Sequence, residues 1–265
     1  MYQIRYHKPA AIDAALAAME AAEEGKLLGG GQTLLPTMKQ RLAAPSDLVD
    51  VRGISGMQDI SVSGGVVTIG AGSKHADVAG NADVRAQIPA LAALAGGIGD
   101  PAVRAMGTIG GSVANNDPAA DYPAAVLALG ATVVTDRREI AADDFFAGMF
   151  ATALGDHEII TAIKFPVPRK AGYAKFHNPA SRYALVGVFV ADTGAGVRVA
   201  VTGAAEDGVF RSTAIETALA ADFSAGALDQ VSLDADGMLS DIHATAAYRA
   251  HLVTVMAKRA VTKAG

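Results

Sequence analysis

The sequence predicts an α+β protein of two joined parts, and three observations carry that prediction. Near the start, Ile12, Leu16 and Met19 recur at helical spacing. Towards the end, Val197, Val199 and Val201 alternate as they do along a half-buried strand. Between these regions EIITAIKFPVP (158–168) reads as a strand closed by prolines, which divides the chain into 1–168 and 169–265.

Taken in order, the first helix spans roughly 9–25, with Pro9 at its start and Gly25 at its stop. A short strand at 26–28 runs directly into GGGQTLLPTMKQRLA. SDLVDV (46–51) and MQDISVSGGVVTIGA (57–71) read as strands, the second as a hairpin turning at Gly64-Gly65. Residues 73–95 are mostly helical, and 96–123 reads as one long loop. A helix near 122–129 and a strand at 131–135 complete the first part. In the second part YALVGVFVAD and GVRVAVTGA are strands, two helical stretches follow, and 241–263 is the longest helix.

Composition narrows the function classes. A chain of 265 residues buries roughly 75% of its unfolded surface, and 51% hydrophobic content with 18% charge excludes a disordered protein. The net charge of -5 leaves no basic footprint for nucleic acid. No run approaches the roughly 20 apolar residues of a membrane span, and the first ten residues carry no export signal, so a soluble cytoplasmic protein is expected. Without cysteine the chain has no disulfide, no thiolate nucleophile and no iron–sulfur cluster of its own. The six histidines show neither HxH nor HExxH spacing, so no metal site is expected and they read as surface or core residues. No GxSxG elbow or SxxK pair is present, and no catalytic residue is assigned.

Three glycine-rich stretches remain. GGIGDPA (96–102) matches a dinucleotide fingerprint in letters, but a helical segment precedes it and Pro101 stands where the fingerprint's helix would run. GGGQT (29–33) follows a strand and opens a helix. Its backbone N–H groups are placed to face an anion, and glycine lets the backbone approach a phosphate closely. GTIGGS (107–112) is a second loop of the same type. Two such loops without a P-loop lysine suit a pyrophosphate held from two sides by neutral backbone, as in FAD.

At this point the sequence resembles a known family. LLGGGQTLLPTMKQRLAAPSDLVDV and VRAMGTIGGSVANNDPAAD are similar to the two flavin loops of the FAD-binding medium subunits of molybdenum hydroxylases. FFAGMFATAL, EII and AAYRAHLVTVMAKRA continue the likeness in the right order over essentially the whole chain. The departures are Gly29 and Thr33, where alanine and serine are commoner. The resemblance implies a p-cresol methylhydroxylase-type FAD-binding fold of two α/β subdomains in 1–168. A C-terminal flavoprotein domain of sheet plus helices, of the carbon monoxide dehydrogenase type, then fills 169–265. It implies non-covalent FAD gripped by Gly29, Gly30, Gly31, Gln32 and Thr33 on one wall and Thr108, Ile109, Gly110, Gly111 and Ser112 on the other. Asp121 is implied to accept from nucleotide hydroxyls, Tyr183 to cover the isoalloxazine and Lys175 to approach its pyrimidine end. Read from local sequence alone, Asp117 and Asp121 are caps before a helix.

The resemblance also implies partners: a small subunit with two [2Fe–2S] clusters and a large molybdopterin subunit, assembled as a dimer of heterotrimers. Electrons would pass from the clusters to FAD and on to an acceptor. A stand-alone flavin oxidase and a flavin-binding assembly module that has lost electron transfer are the competing readings.

Overall fold

The computed structural model describes residues 2–265 as four sheets and the helices around them. Strands Arg5–His7, Asp47–Asp50 and Gly25–Leu28 form a parallel three-stranded sheet in that spatial order. Helix Ile12–Glu20 makes the crossover between its outer strands. A second sheet is antiparallel throughout, ordered Ile60–Ser63, Val66–Gly70, Ile160–Pro166, Thr132–Thr135 and Glu139–Ala141. The hairpin at Gly64-Gly65 joins its first two strands, with both glycines at positive φ as the tight turn requires.

Strands Lys170–His177, Ala184–Asp192, Val197–Ala205 and Gly208–Arg211 form the antiparallel sheet of the C-terminal part. The first and last of these strands were not expected from the sequence. Their polar and charged residues dilute the apolar alternation, and pairing to an apolar neighbour makes them strands. The strand Ala184–Asp192 is buried from Ala184 to Ala191 because both faces are covered. One face packs on helix Tyr122–Ala128 of the first part, and the other on the final helix Ala246–Lys263. Gly172 lets that helix close in, since a Cβ there would sit 2.0 Å from the Ala260 carbonyl. Phe189, Ala191 and Ala200 belong to the large core of the first part, while Val186, Val188 and Val190 join Leu252, Val253 and Met256 in the second core.

The long loop expected at 96–123 is overturned. It contains helices Pro101–Arg104 and Ile109–Asn115. Pro101 is the first helical residue, where its missing N–H costs nothing, and the Asp100 side chain caps the Val103 N–H at 2.9 Å. Thr108 caps the second helix through its Oγ1, which accepts from the Gly111 N–H at 3.2 Å. The glycines of TIGGS therefore sit inside a first helical turn. Each costs about 1 kcal/mol in helix propensity relative to alanine, and at Gly110 the close packing leaves no room for a side chain, since a Cβ there would lie 2.5 Å from Ala71 Cβ.

The stretch Asn116–Asp121 is the joint between the two parts. Asn116 is left-handed at φ 42 and donates its amide to the carbonyls of Gly148 and Ala151, which fixes the hairpin Phe146–Gly148 and Ala151–Thr152. The carbonyls of Pro118 and Ala120 lie 2.8 and 2.7 Å from the Thr202 hydroxyl, and the Gly203 N–H donates to Pro118 at 2.7 Å. Asp117 does not cap a helix; its carboxylate closes a turn by accepting from the Ala119 N–H at 2.8 Å.

Candidate functional site

A cavity of about 720 Å³ opens between the parallel sheet, the second glycine segment and the loop before strand Ala184–Asp192. That volume lies within the roughly 300–1,000 Å³ of small-molecule and cofactor sites. All five residues from Gly29 to Thr33 line it, as do Thr108, Gly110, Gly111, Ser112, Asp121 and Tyr183. These positions are far apart in sequence, and the fold brings them around one space.

The first wall is a turn between strand Gly25–Leu28 and helix Leu34–Lys39, with Gly31 at φ 71. Among the described residues, none of the backbone N–H groups from Gly29 to Thr33 has a protein acceptor. Backbone N–H groups are strong donors, and this run lines the cavity with donors that have no partner within the protein among the described residues. The second wall differs. The N–H groups of Ile109 and Gly110 donate to the carbonyls of Ser73 and Ala71, and those of Gly111 and Ser112 to the hydroxyl and carbonyl of Thr108. That wall offers side-chain hydroxyls and close packing instead of a second row of free N–H donors.

The glycines themselves mostly face protein. A Cβ on Gly30 would lie 2.3 Å from the Met106 carbonyl and 2.4 Å from Gly107 Cα, and one on Gly110 would lie 2.5 Å from Ala71 Cβ. Gly29 and Gly111 flank the Thr108 hydroxyl, with Cβ positions 2.9 and 3.0 Å from its Oγ1. The glycines bring the two segments into backbone contact, and the cavity follows from that contact.

Two of the expected contacts are placed elsewhere. Ile109 is fully buried in the large core and does not line the cavity. Lys175 is buried behind Asp121 and does not line the cavity either. Its ammonium lies 2.9 Å from the Asp121 carboxylate and donates to the Gly97 carbonyl at 3.1 Å. Tyr173 donates its hydroxyl to the same carboxylate, in a space left by Gly187, whose Cβ would lie 2.6 Å from that hydroxyl. Asp121 thus forms part of the cavity wall braced from behind by a cation and a phenol. Burial raises its pKa, and Lys175 and Tyr173 oppose that rise; burial also raises the Tyr173 phenol.

Tyr183 stands at the cavity mouth, half-exposed, at the end of the turn from Asn178. The Asn178 side chain accepts from the N–H groups of Ala180 and Ser181, and the Asn178 N–H donates to the Tyr183 carbonyl at 2.8 Å, so the turn has a fixed form. Burial and the nearby carboxylates of Asp117 and Asp121 raise the Tyr183 phenol. The fingerprint-like stretch also reaches the site, through Ile98, Gly99 and Asp100, without the strand–turn–helix of a dinucleotide fold. His75 lines the cavity as well and was not singled out in sequence; a lone histidine at the start of a short helix carries no local signal of its role.

Residues 2–168 match the family described as FAD binding domain in molybdopterin dehydrogenase. The chain belongs to that family. It is an FAD-containing oxidoreductase subunit of the molybdenum-hydroxylase type, a medium subunit in its length and order of motifs. Over 99% of its length it is 35% identical to the nicotine 6-hydroxylase medium subunit of Paenarthrobacter nicotinovorans, 97% of which is covered. It is 34% identical to the carbon monoxide dehydrogenase medium chain of Afipia carboxidovorans, covering 98% of this chain and 96% of that one. Among solved structures, carbon monoxide dehydrogenase from Oligotropha carboxidovorans superposes with a TM-score of 0.90 at 32% identity, covering 99% of this chain and 98% of that chain. Quinoline 2-oxidoreductase from Pseudomonas putida 86 gives 0.88 at 28% identity, covering 99% and 97%. These solved structures share the α+β arrangement of sheets and helices observed in this chain. Among the described residues no helix is long and apolar enough to cross a membrane.

Proposed function

We propose that the cavity holds FAD non-covalently and that this chain passes electrons from [2Fe–2S] clusters in a partner subunit to an acceptor. The observation that carries the assignment is the unpaired run of N–H groups from Gly29 to Thr33 along a cofactor-sized cavity. These N–H groups take the pyrophosphate oxygens, each bond to a charged oxygen contributing about 1.5–3 kcal/mol. The hydroxyls of Thr108 and Ser112 complete the grip from the opposite wall. Tyr183 lies over the isoalloxazine ring, where an aromatic plane excludes water and limits reaction with oxygen. Asp121 receives a nucleotide or ribityl hydroxyl on its cavity side. Lys175 acts through Asp121, holding that carboxylate charged and oriented. Bound FAD supplies the ability to accept electrons singly and deliver them in pairs.

The division of labour extends to the assembly. The substrate is transformed on a large molybdopterin subunit, and a small [2Fe–2S] subunit relays electrons, in a cytoplasmic dimer of heterotrimers. Residues 1–168 form the FAD-binding domain and 169–265 the C-terminal flavoprotein domain, which closes the ring end of the cavity. The names of the relatives as medium chains and subunits support this arrangement.

Reconstitution tests it. The purified chain should take up FAD one to one, seen as visible flavin absorption after gel filtration, and should oxidise no organic substrate alone. Gly111→Asp puts a carboxylate on the wall opposite the cradle, with only the Thr108 hydroxyl in its way. It should abolish FAD uptake with the far-UV circular dichroism unchanged. Stoichiometric FAD in that variant would sink the cradle assignment.

A further inference from the structure

His75 is 5% exposed, lines the cavity, and makes no side-chain hydrogen bond within the protein among the described residues. Its position is fixed by the backbone: the His75 N–H donates to the Gly107 carbonyl at 2.9 Å, beside the antiparallel bridge between Lys74 and Thr108. The ring lies against the second glycine segment, where a Cβ on Gly107 would be 2.6 Å from Nε2 and 2.8 Å from Cδ2. Gly107 in turn touches Gly30. The imidazole therefore stands where the two glycine segments meet, next to the unpaired N–H cradle. On its other side it packs against the Tyr122 ring, with centroids 5.4 Å apart.

The two ring nitrogens are not equivalent. Nδ1 is sealed from solvent without a partner. A neutral imidazole carries one proton, and a buried N–H without an acceptor is rarer and costlier than a buried lone pair without a donor. Burial thus assigns the proton to Nε2 and leaves the lone pair on Nδ1. Protonating both nitrogens would strand a donor at Nδ1 beside a buried ring, and burial together with the Arg104 charge lowers the His75 pKa to about 4. Close to neutral pH the residue carries one uncharged N–H donor, on the nitrogen that is not sealed, with nothing in the protein to receive it.

We propose that His75 is a cofactor-binding residue of this chain, donating from Nε2–H to an oxygen of bound FAD at the junction of the two glycine segments. This rests on the reading that FAD occupies the cavity. The donor suits an oxygen acceptor on the phosphate–ribityl part of the dinucleotide, because the cradle beside it is built for that part. A neutral donor adds direction to the grip, leaving the buried charge unchanged.

The test uses the full chain and measures FAD affinity by flavin fluorescence quenching, with apo-protein thermal unfolding as a control for folding. Glutamine places an amide N–H near the Nε2 position, whereas asparagine reaches only as far as Nδ1. His75→Gln should bind FAD within about threefold of the parent chain, and His75→Asn should bind about tenfold or more weakly, the size expected for one hydrogen bond to an oxygen of a charged ligand. In parallel, the ring 13Cε1 resonance of His75, identified by its loss in His75→Gln, should shift as FAD is added to the parent chain. Parent-like affinity in both variants, or equal loss in both, overturns the assignment of Nε2, as does a 13Cε1 resonance that FAD leaves in place. Failure of the parent chain to bind FAD at all would overturn the underlying reading of the cavity, a separate result.

Discussion

Replacing Lys175 with methionine is the most informative stability perturbation, because the pair it breaks is sealed on both sides. The side chains of Lys175 and Asp121 are 3% and 5% exposed, so solvent does little to screen them. Removing the cation leaves Asp121 with the Tyr173 hydroxyl alone behind it. Breaking a buried ion pair by removing one partner costs roughly 3–5 kcal/mol, chiefly the penalty of the charge left unpaired. At about 2–4 °C per kcal/mol for a chain of this size, the thermal midpoint should fall by roughly 6–20 °C. Part of that loss is recoverable by letting the carboxylate take up a proton, since its pKa is already raised by burial. The Lys175→Met loss should therefore be smaller at pH 5 than at pH 8. Lys175→Met/Asp121→Asn removes both charges and should be more stable than Lys175→Met alone, with the coupling read from a double-mutant cycle. Thermal unfolding by circular dichroism on the apo-chain gives all four values. A Lys175→Met loss below about 1 kcal/mol, or a double variant no better than the single, would refute the argument that this pair braces the cavity wall.

Other outcomes follow from the same geometry. Gly30→Ala should cost about 1–3 kcal/mol of stability by overpacking, because its Cβ would lie 2.4 Å from Gly107 Cα, and urea unfolding measures it. Asn116→Ala removes two buried hydrogen bonds and keeps a left-handed backbone, so it should lose about 2–4 kcal/mol; Asn116→Gly, free of the backbone strain, should lose less. His75 stays neutral in the fold down to about pH 4, whereas its ordinary value is 6.5, the shift coming first from burial and then from Arg104. The unfolded chain binds that proton first, so stability should fall as pH drops from 6.5 towards 4, and His75→Gln should remove that part of the slope in pH-dependent unfolding. Glu158 has the carboxylate form of the same linkage. Hydrogen bonds from Arg138 hold its pKa near 2, so its stabilisation is present above pH 4.5 and lost as pH falls towards 2, and Glu158→Gln should flatten that limb.

The sequence by itself determined the fold class, the family and the two glycine segments. Those features are local: strand followed by glycines followed by helix is a backbone instruction that GGGQT carries in five residues. The alternation at Val197, Val199 and Val201 and the hairpin at Gly64-Gly65 were legible for the same reason. Tertiary structure alone decided which side of each glycine meets protein. Gly30 and Gly110 read as phosphate approaches, yet their Cβ positions are filled by Gly107 and Ala71, from segments 77 and 39 positions away. It also turned 96–123 from a loop into two helices and a joint, since Thr202 and Gly203 supply partners for Pro118 and Ala120 from more than 80 positions along the chain. Lys175 looked like a free cation for the flavin because nothing within its own strand names Asp121, 54 residues earlier, as its partner. His75 was silent for a related reason. A local motif records what the backbone is permitted to do, whereas a side chain's burial and partners are set only when distant segments close on one another.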